Sequence, residues 1–138
     1  MIVCLDTNTV VQALAAHHPF HPILDAWVAG DLAWVVTTPI LLEYEEVLTR
    51  LSGPIRWRKL ARLMDLAELT SGNLLRVTPS FHFQVVTADP DDNIFTDCAI
   101  TAGADYLITE DQHFAPLVDA GYKTRPILPL DFIAQLQR

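Results

Sequence analysis

The sequence predicts an α/β fold with a parallel sheet. Two observations carry that expectation. Short apolar runs of strand length recur without the alternation of a half-exposed strand, and stretches with helical apolar spacing separate them. Helix start and stop residues fall at the junctions, so strands and helices alternate along the chain.

The first run, Ile2-Val3-Cys4-Leu5, closes at Asp6 and fits a strand buried on both faces. Thr7-Asn8-Thr9 offers caps for a helix over 10–16, which His17-His18-Pro19 ends. A second helix spans 22–29, with Gly30 as its stop, and 32–37 is a second buried strand. Thr38 as cap and Pro39 at the first position predict a helix over 40–51. Ser52-Gly53-Pro54 breaks it, and another helix follows over 55–69. Residues 74–78 form a weaker strand, and 81–86 are ambiguous but compatible with extended chain. Asp89 then caps a helix with Pro90 first, running to 102 before Gly103. Its positive end favours Asp91 and Asp92. Tyr106-Leu107-Ile108-Thr109 is the third clear strand, followed by a short helix over 113–120. Residues 126–130 suit an edge strand, where prolines are tolerated, and Asp131 caps a C-terminal helix. There is no internal repeat, low-complexity tract or linker.

A chain of 138 residues predicts one domain over 1–138, with enough apolar sequence (51%) for a core and against disorder. No apolar run approaches the ~20 residues of a membrane span, and the opening run is too short for a secretory leader. Cys4 and Cys98 are too few for a disulfide framework or zinc site and suit small core positions in a cytoplasmic protein. Nine Lys and Arg against 17 Asp and Glu argue against coating nucleic acid by bulk charge. The charges are segregated. From Asp89 to Asp111 there are seven acids and no Lys or Arg, while five of the nine bases lie between Arg50 and Arg62.

Ligands of parallel α/β sheets bind outside the carboxyl ends of the strands. Asp6 ends the first strand there, and Thr109-Glu110-Asp111 the third. Either acid alone also suits a turn or cap. Glu43 falls within the apolar stripe Ile40, Tyr44, Val47, Leu48 and Leu51, where a carboxylate is costly unless paired or bound to a metal. The competing reading is an exposed first-turn residue favoured by the helix dipole. Glu45 and Glu46 read as solvated, Glu46 with Arg50 one turn on. Asp92 shares a side with Phe95, Thr96 and Ala99, but periodicity does not choose between Asp91 and Asp92, and Asp97 projects elsewhere. Asp6, Glu43, Asp92 and Asp111 form a candidate set on four elements. Clustered carboxylates repel one another and persist where Mg²⁺ or Mn²⁺ compensates them, an arrangement suited to phosphoryl chemistry.

With those residues in place the chain resembles PIN-domain nucleases, in particular the toxin components of toxin–antitoxin systems related to VapC-type ribonucleases. The matching residues are Leu5-Asp6-Thr7-Asn8, the helix segment Leu41 to Leu48, Asp89-Pro90-Asp91-Asp92-Asn93-Ile94-Phe95, Ala99, Gly103 through Thr109, and Asp111. They run in order through nearly the whole chain. The resemblance implies a doubly wound, PIN-like parallel sheet of about five strands with helices on both faces. It implies a Mg²⁺- or Mn²⁺-dependent endoribonuclease whose catalytic and metal-binding acids are Asp6, Glu43, Asp92 and Asp111. Asn8 and Thr109 would support them, and Asp97 matches an acidic position of the subfamily. It further implies a homodimer and a small antitoxin partner. One departure is Glu110-Asp111-Gln112-His113-Phe114, where relatives often carry Gly-Asp-Lys-Asp-Leu, so a phosphate-contacting Lys is missing.

Arg56, Arg58, Lys59 and Arg62 are candidates for RNA backbone contact, with Trp57 able to stack. The alternative is a solvated helix face with Trp57 in a core or interface. His17, His18 and His21 read as a loop rather than a metal site. A haloacid-dehalogenase-like phosphatase is disfavoured because Asn8 stands where its second acid is needed. A dinucleotide-binding dehydrogenase lacks its Gly-rich loop. The remaining rival is a catalytically degenerate PIN domain that binds RNA or a protein partner.

Overall fold

The computed structural model describes all residues from Met1 to Arg138. Its elements, in chain order, begin with strand β1 (Ile2–Leu5), helices α1 (Thr7–Ala13) and α2 (His21–Val28), and strand β2 (Ala33–Val36). Helices α3 (Thr38–Ser52) and α4 (Pro54–Thr70) precede strand β3 (Leu74–Arg76). A 3-10 turn (Pro90–Asp92) leads into α5 (Asn93–Ala102), then β4 (Tyr106–Ile108). A 3-10 segment (Gln112–Asp119), β5 (Arg125–Ile127) and α6 (Pro129–Leu136) complete the chain. All five strands are parallel, in the order β3-β2-β1-β4-β5. The chain thus builds outward from β1 in one direction and then crosses to the other side. This is the doubly wound topology, with its switch point between β1 and β4.

The strands are buried because their residues are apolar on both faces. Val3, Cys4, Leu5, Trp34, Val35, Val36, Leu107 and Ile108 are all essentially inaccessible. Helix α5 packs on β1, β2 and β4, and α3 packs on α1, α4 and α5. On α3 the expected stripe is largely observed: Ile40, Tyr44 and Leu48 are buried and Val47 half-buried, but Leu51 is exposed. Trp34 stacks edge-on against Trp27 with ring centres 5.0 Å apart, and Tyr44 lies 5.8 Å from Trp34. The Tyr44 hydroxyl donates to the carbonyl of Leu5, which ties α3 to the last residue of β1.

Several boundaries differ from the sequence expectations. Helix α1 begins at Thr7 and stops at Ala13, because Asp6 is already its first flanking residue. The cap of α3 is Thr37, whose hydroxyl accepts from the Ile40 amide, so Pro39 sits at the second helical position. His21 opens α2 rather than lying in the preceding loop. Asp131 lies in the first turn of α6 and does not cap it; Leu128 flanks that helix, and β5 is correspondingly short. Residues 81–86 form no strand. Side chains of α5 hold them instead: Asn93 bonds both the amide and the carbonyl of Val86, and Asp97 accepts from the Phe83 amide. Asp89 caps as expected, accepting from the Asp91 amide, although the first turn is 3-10. Gly103 takes the left-handed conformation that ends α5.

The Tyr44 bond yields a direct expectation. Tyr44→Phe keeps the ring packing and removes the hydroxyl, so it should lower unfolding free energy by about 1–2 kcal/mol in urea titration. An unchanged midpoint would show that this bond adds no net stability.

Candidate metal centre

Asp6 and Thr109 follow β1 and β4 directly, and the pairing of Leu5 with Ile108 brings them side by side at the switch point. The Asp6 amide donates to the Ile108 carbonyl at 3.2 Å, and the Thr109 amide to the Ile127 carbonyl at 3.0 Å. Both backbones are therefore continuous with the sheet. The Asp6 side chain makes no helix-capping bond. Its Oδ2 accepts from the Thr109 hydroxyl at 2.8 Å. Asp6 is 7% exposed and Thr109 3%.

The Thr109 oxygen also accepts from the Asp111 amide at 2.9 Å, so one hydroxyl bridges two of the acids. Asp111 then turns the chain by accepting from the His113 amide at 2.9 Å. Asp92 reaches the same end of the sheet from the start of α5. Its Oδ2 lies 3.4 Å from Nδ1 of His113, and that nitrogen is 3.5 Å from Oδ1 of Asp111.

Burial pushes the Asp6 carboxyl up to about 6. The Thr109 bond opposes that rise, while the charges of Asp92 and Asp111 add to it. Asp92 is raised chiefly by burial; the His113 contact lowers it, and Asp89 and Asp111 raise it further. The charges of Asp92 and Asp111 thus reach Asp6, and that of Asp111 reaches Asp92. No Lys or Arg forms an ion pair with Asp6, Asp92, Asp111 or Glu43.

This donor set fits a hard divalent cation. Carboxylate oxygens are of the type Mg²⁺ and Mn²⁺ take, and no Lys or Arg offsets their mutual repulsion; only the His113 imidazole lies beside Asp92 and Asp111. A cleft of about 370 Å³ opens beside them, lined by Asp6, Asn8, Gln12, Glu110 and Asp111 among others. The buried Gln12 Oε1 on its wall has no hydrogen-bond partner.

Glu43 is half-buried on α3, as its place in the apolar stripe suggested, and its Oε2 accepts from the Thr7 hydroxyl. That bond links it to the residue after Asp6. Glu45, Glu46 and Asp91 are exposed, and Asn8 is exposed at the cleft. Asp97 goes elsewhere. It is buried, its Oδ2 lies 3.3 Å from His82 Nδ1, and it lines a separate pocket with Thr37, Thr78 and Asn93. Arg56, Arg58, Lys59 and Arg62 are exposed on α4 without ion pairs, while Trp57 packs partly against the core. His18 and His21 bond local backbone.

Sequence reasoning did not single out Thr7 or His113 as site residues, and it read Asp89 only as a cap. Thr7 has no periodic signal, because its partner is 36 residues away. His113 carried one available signal: it stands two residues after Asp111 in the segment that departs from the family pattern.

The PIN domain family profile matches residues 2–113. No curated protein matches the chain by sequence. Among solved structures, the chain is similar to a chain in the structure of FitAB bound to an IR36 DNA fragment. The two share 16% identity and a TM-score of 0.59, over 94% of this chain and 96% of that one.

The raised Asp6 carboxyl predicts a pH-dependent effect in metal-free protein. Between 3.8 and about 6 the folded chain keeps a proton that the unfolded chain has released. This contribution to stability therefore falls as pH rises through that window and stays lost above it. Asn at this position retains an acceptor for Thr109 and carries no charge. With chelator present at pH 7.5, Asp6→Asn should raise unfolding free energy by on the order of 1–3 kcal/mol. The gain should shrink toward zero at pH 4. Equal stabilities at pH 7.5 would contradict the electrostatic reading.

Proposed function

The chain belongs to the PIN domain family, and from that premise we propose that it is a metal-dependent endoribonuclease hydrolysing RNA phosphodiester bonds. One observation carries the reading: a buried carboxylate at the switch point, Asp6, shares its environment with Asp92 and Asp111 and has no Lys or Arg partner. Asp6, Asp92 and Asp111 would hold Mg²⁺ or Mn²⁺, with Glu43 in support. When bound, such an ion lowers the pKa of water and neutralises charge on the scissile phosphodiester.

The remaining chemistry belongs to the chain. Thr109 orients Asp6 and, through the Asp111 amide, fixes the direction of Asp111. Thr7 holds one oxygen of Glu43, leaving the other to orient the attacking water or take its proton. Asn8, which lines the cleft, would donate to a phosphate oxygen. The side chain of Asp97 braces residues 82–83 and thereby the approach to α5.

The exposed cations of α4 are the RNA-facing charge in this proposal, since the net charge of −8 leaves no bulk attraction. We assign the chain, as one domain over 1–138, to the toxin side of a type II toxin–antitoxin pair in the cytoplasm. It would act as a homodimer with a small antitoxin partner. No helix is long and apolar enough to cross a membrane.

Asp6→Ala should reduce Mg²⁺- or Mn²⁺-dependent RNA cleavage about 100-fold or more while far-ultraviolet circular dichroism stays unchanged. Mn²⁺ should raise the melting temperature of the native chain but not of that variant. RNA binding without cleavage by the native chain would favour the degenerate binding module instead. Arg58→Glu combined with Arg62→Glu should weaken RNA binding measured with metal present, most strongly at low salt, and leave the Mn²⁺-induced thermal shift intact. Unchanged RNA affinity would remove α4 from the interface.

A further inference from the structure

We propose that His113 is a nitrogen ligand of this metal centre and that, with Asp89 and Asp92, it makes the site select Mn²⁺ over Mg²⁺. The inference rests on the carboxylate metal centre proposed above and extends it. One ligand atom from each of Asp89, Asp92 and His113 lies within 4.8 Å of the others. The imidazole Nδ1 is 3.4 Å from Asp92 and 3.5 Å from Asp111, so it enters the group of acids that flank the switch point. Adjacent ligands of an octahedral ion at about 2.1 Å are separated by about 3 Å, so small side-chain adjustments suffice.

Packing places the imidazole there. The His113 amide is held by Asp111 Oδ1 at 2.9 Å. The next residue, Phe114, is fully buried and meets Phe95 of α5 edge-on, with ring centres 6.3 Å apart. The turn carrying His113 is thus clamped against α5, the helix that Asp92 immediately precedes. Asp89 uses Oδ1 to cap the Asp91 amide, and no hydrogen bond or ion pair occupies its other oxygen. The imidazole itself is 46% exposed, which leaves a path for a hydrated ion.

Donor chemistry supplies the selectivity. Mg²⁺ takes oxygen ligands and gives up its water reluctantly. Mn²⁺ also takes carboxylate oxygens, but as a first-row transition-metal dication it accepts an imidazole nitrogen more readily than Mg²⁺ does. The rival role for His113 is a positive counter-ion to the acids. These roles have opposite consequences, because a ligand strengthens metal binding and a fixed positive charge weakens it.

The test measures metal binding rather than cleavage. Mn²⁺ affinity is read from the signal of free Mn²⁺ by electron paramagnetic resonance, and Mg²⁺ affinity from competition. His113→Ala should lose about tenfold or more in Mn²⁺ affinity, with Mg²⁺ affinity changing less than about threefold. His113→Asp, which restores an oxygen donor, should shift preference toward Mg²⁺. Pulsed measurements on the Mn²⁺-loaded native chain should show coupling to a ligand nitrogen that both variants lack. Tighter binding of both ions by His113→Ala, or absent nitrogen coupling in the native chain, would overturn the proposal and leave the carboxylate centre standing. No binding of either ion by the native chain would overturn both.

Discussion

The molecule is organised around a carboxylate that must be buried without a cation beside it. Asp6 lies where β1 ends, in the middle of a five-stranded parallel sheet, and its environment disfavours its charge. One hydroxyl makes the position tenable: Thr109, from the neighbouring strand, donates to Asp6. The same oxygen receives the Asp111 amide, so the bond that accommodates Asp6 also sets the position of the next acid. Parallel pairing of β1 with β4 is what places the two residues together, and the hydrophobic core holds that pairing in register. Fold and site are thus coupled through a few atoms.

The uneven charge along the chain follows from this arrangement. The acids from Asp89 to Asp111 supply three of the proposed ligands, from the turn before α5 and the loop after β4, and no Lys or Arg interrupts them in sequence. An internal Lys or Arg would neutralise the cluster permanently. A bound ion would instead make neutralisation conditional, so that an otherwise repulsive cleft admits phosphate when the ion is present. The basic residues lie apart on α4, exposed and without ion pairs. The chain separates the charge that would handle metal from the charge that would meet a polyanion.

Much of this was legible in the sequence, for identifiable reasons. The buried strands are short apolar runs with nothing to mask them, and Asp6 and Thr109 stand at their ends. Glu43 was visible because a carboxylate in an apolar stripe breaks a periodic pattern, and the structure shows its compensation in Thr7. Mistaken or open readings cluster where local chemistry offers equivalent choices. Thr37 and Thr38 are both capable caps, and the backbone chose the first. Residues 81–86 carry strand-like composition, but α5 side chains satisfy part of their backbone instead of a neighbouring strand. Periodicity left Asp91 and Asp92 unresolved, because a 3-10 turn changes the angle between successive side chains. The exposed Asp91 and half-buried Asp92 became distinct only in three dimensions. His113 depends on a contact spanning 21 residues and on the burial of Phe114, neither of which has a local signature.

Asp6, Asp92 and Asp111 are proposed to converge on a divalent cation at the sheet's switch point. The most direct measurement is anomalous diffraction from crystals of the chain grown with Mn²⁺, collected at a wavelength where manganese scatters anomalously. A peak is expected within coordination distance of carboxylate oxygens from those three residues. A fully ordered site with no peak there, or a peak confined to the separate pocket around Asp97, would contradict that proposal.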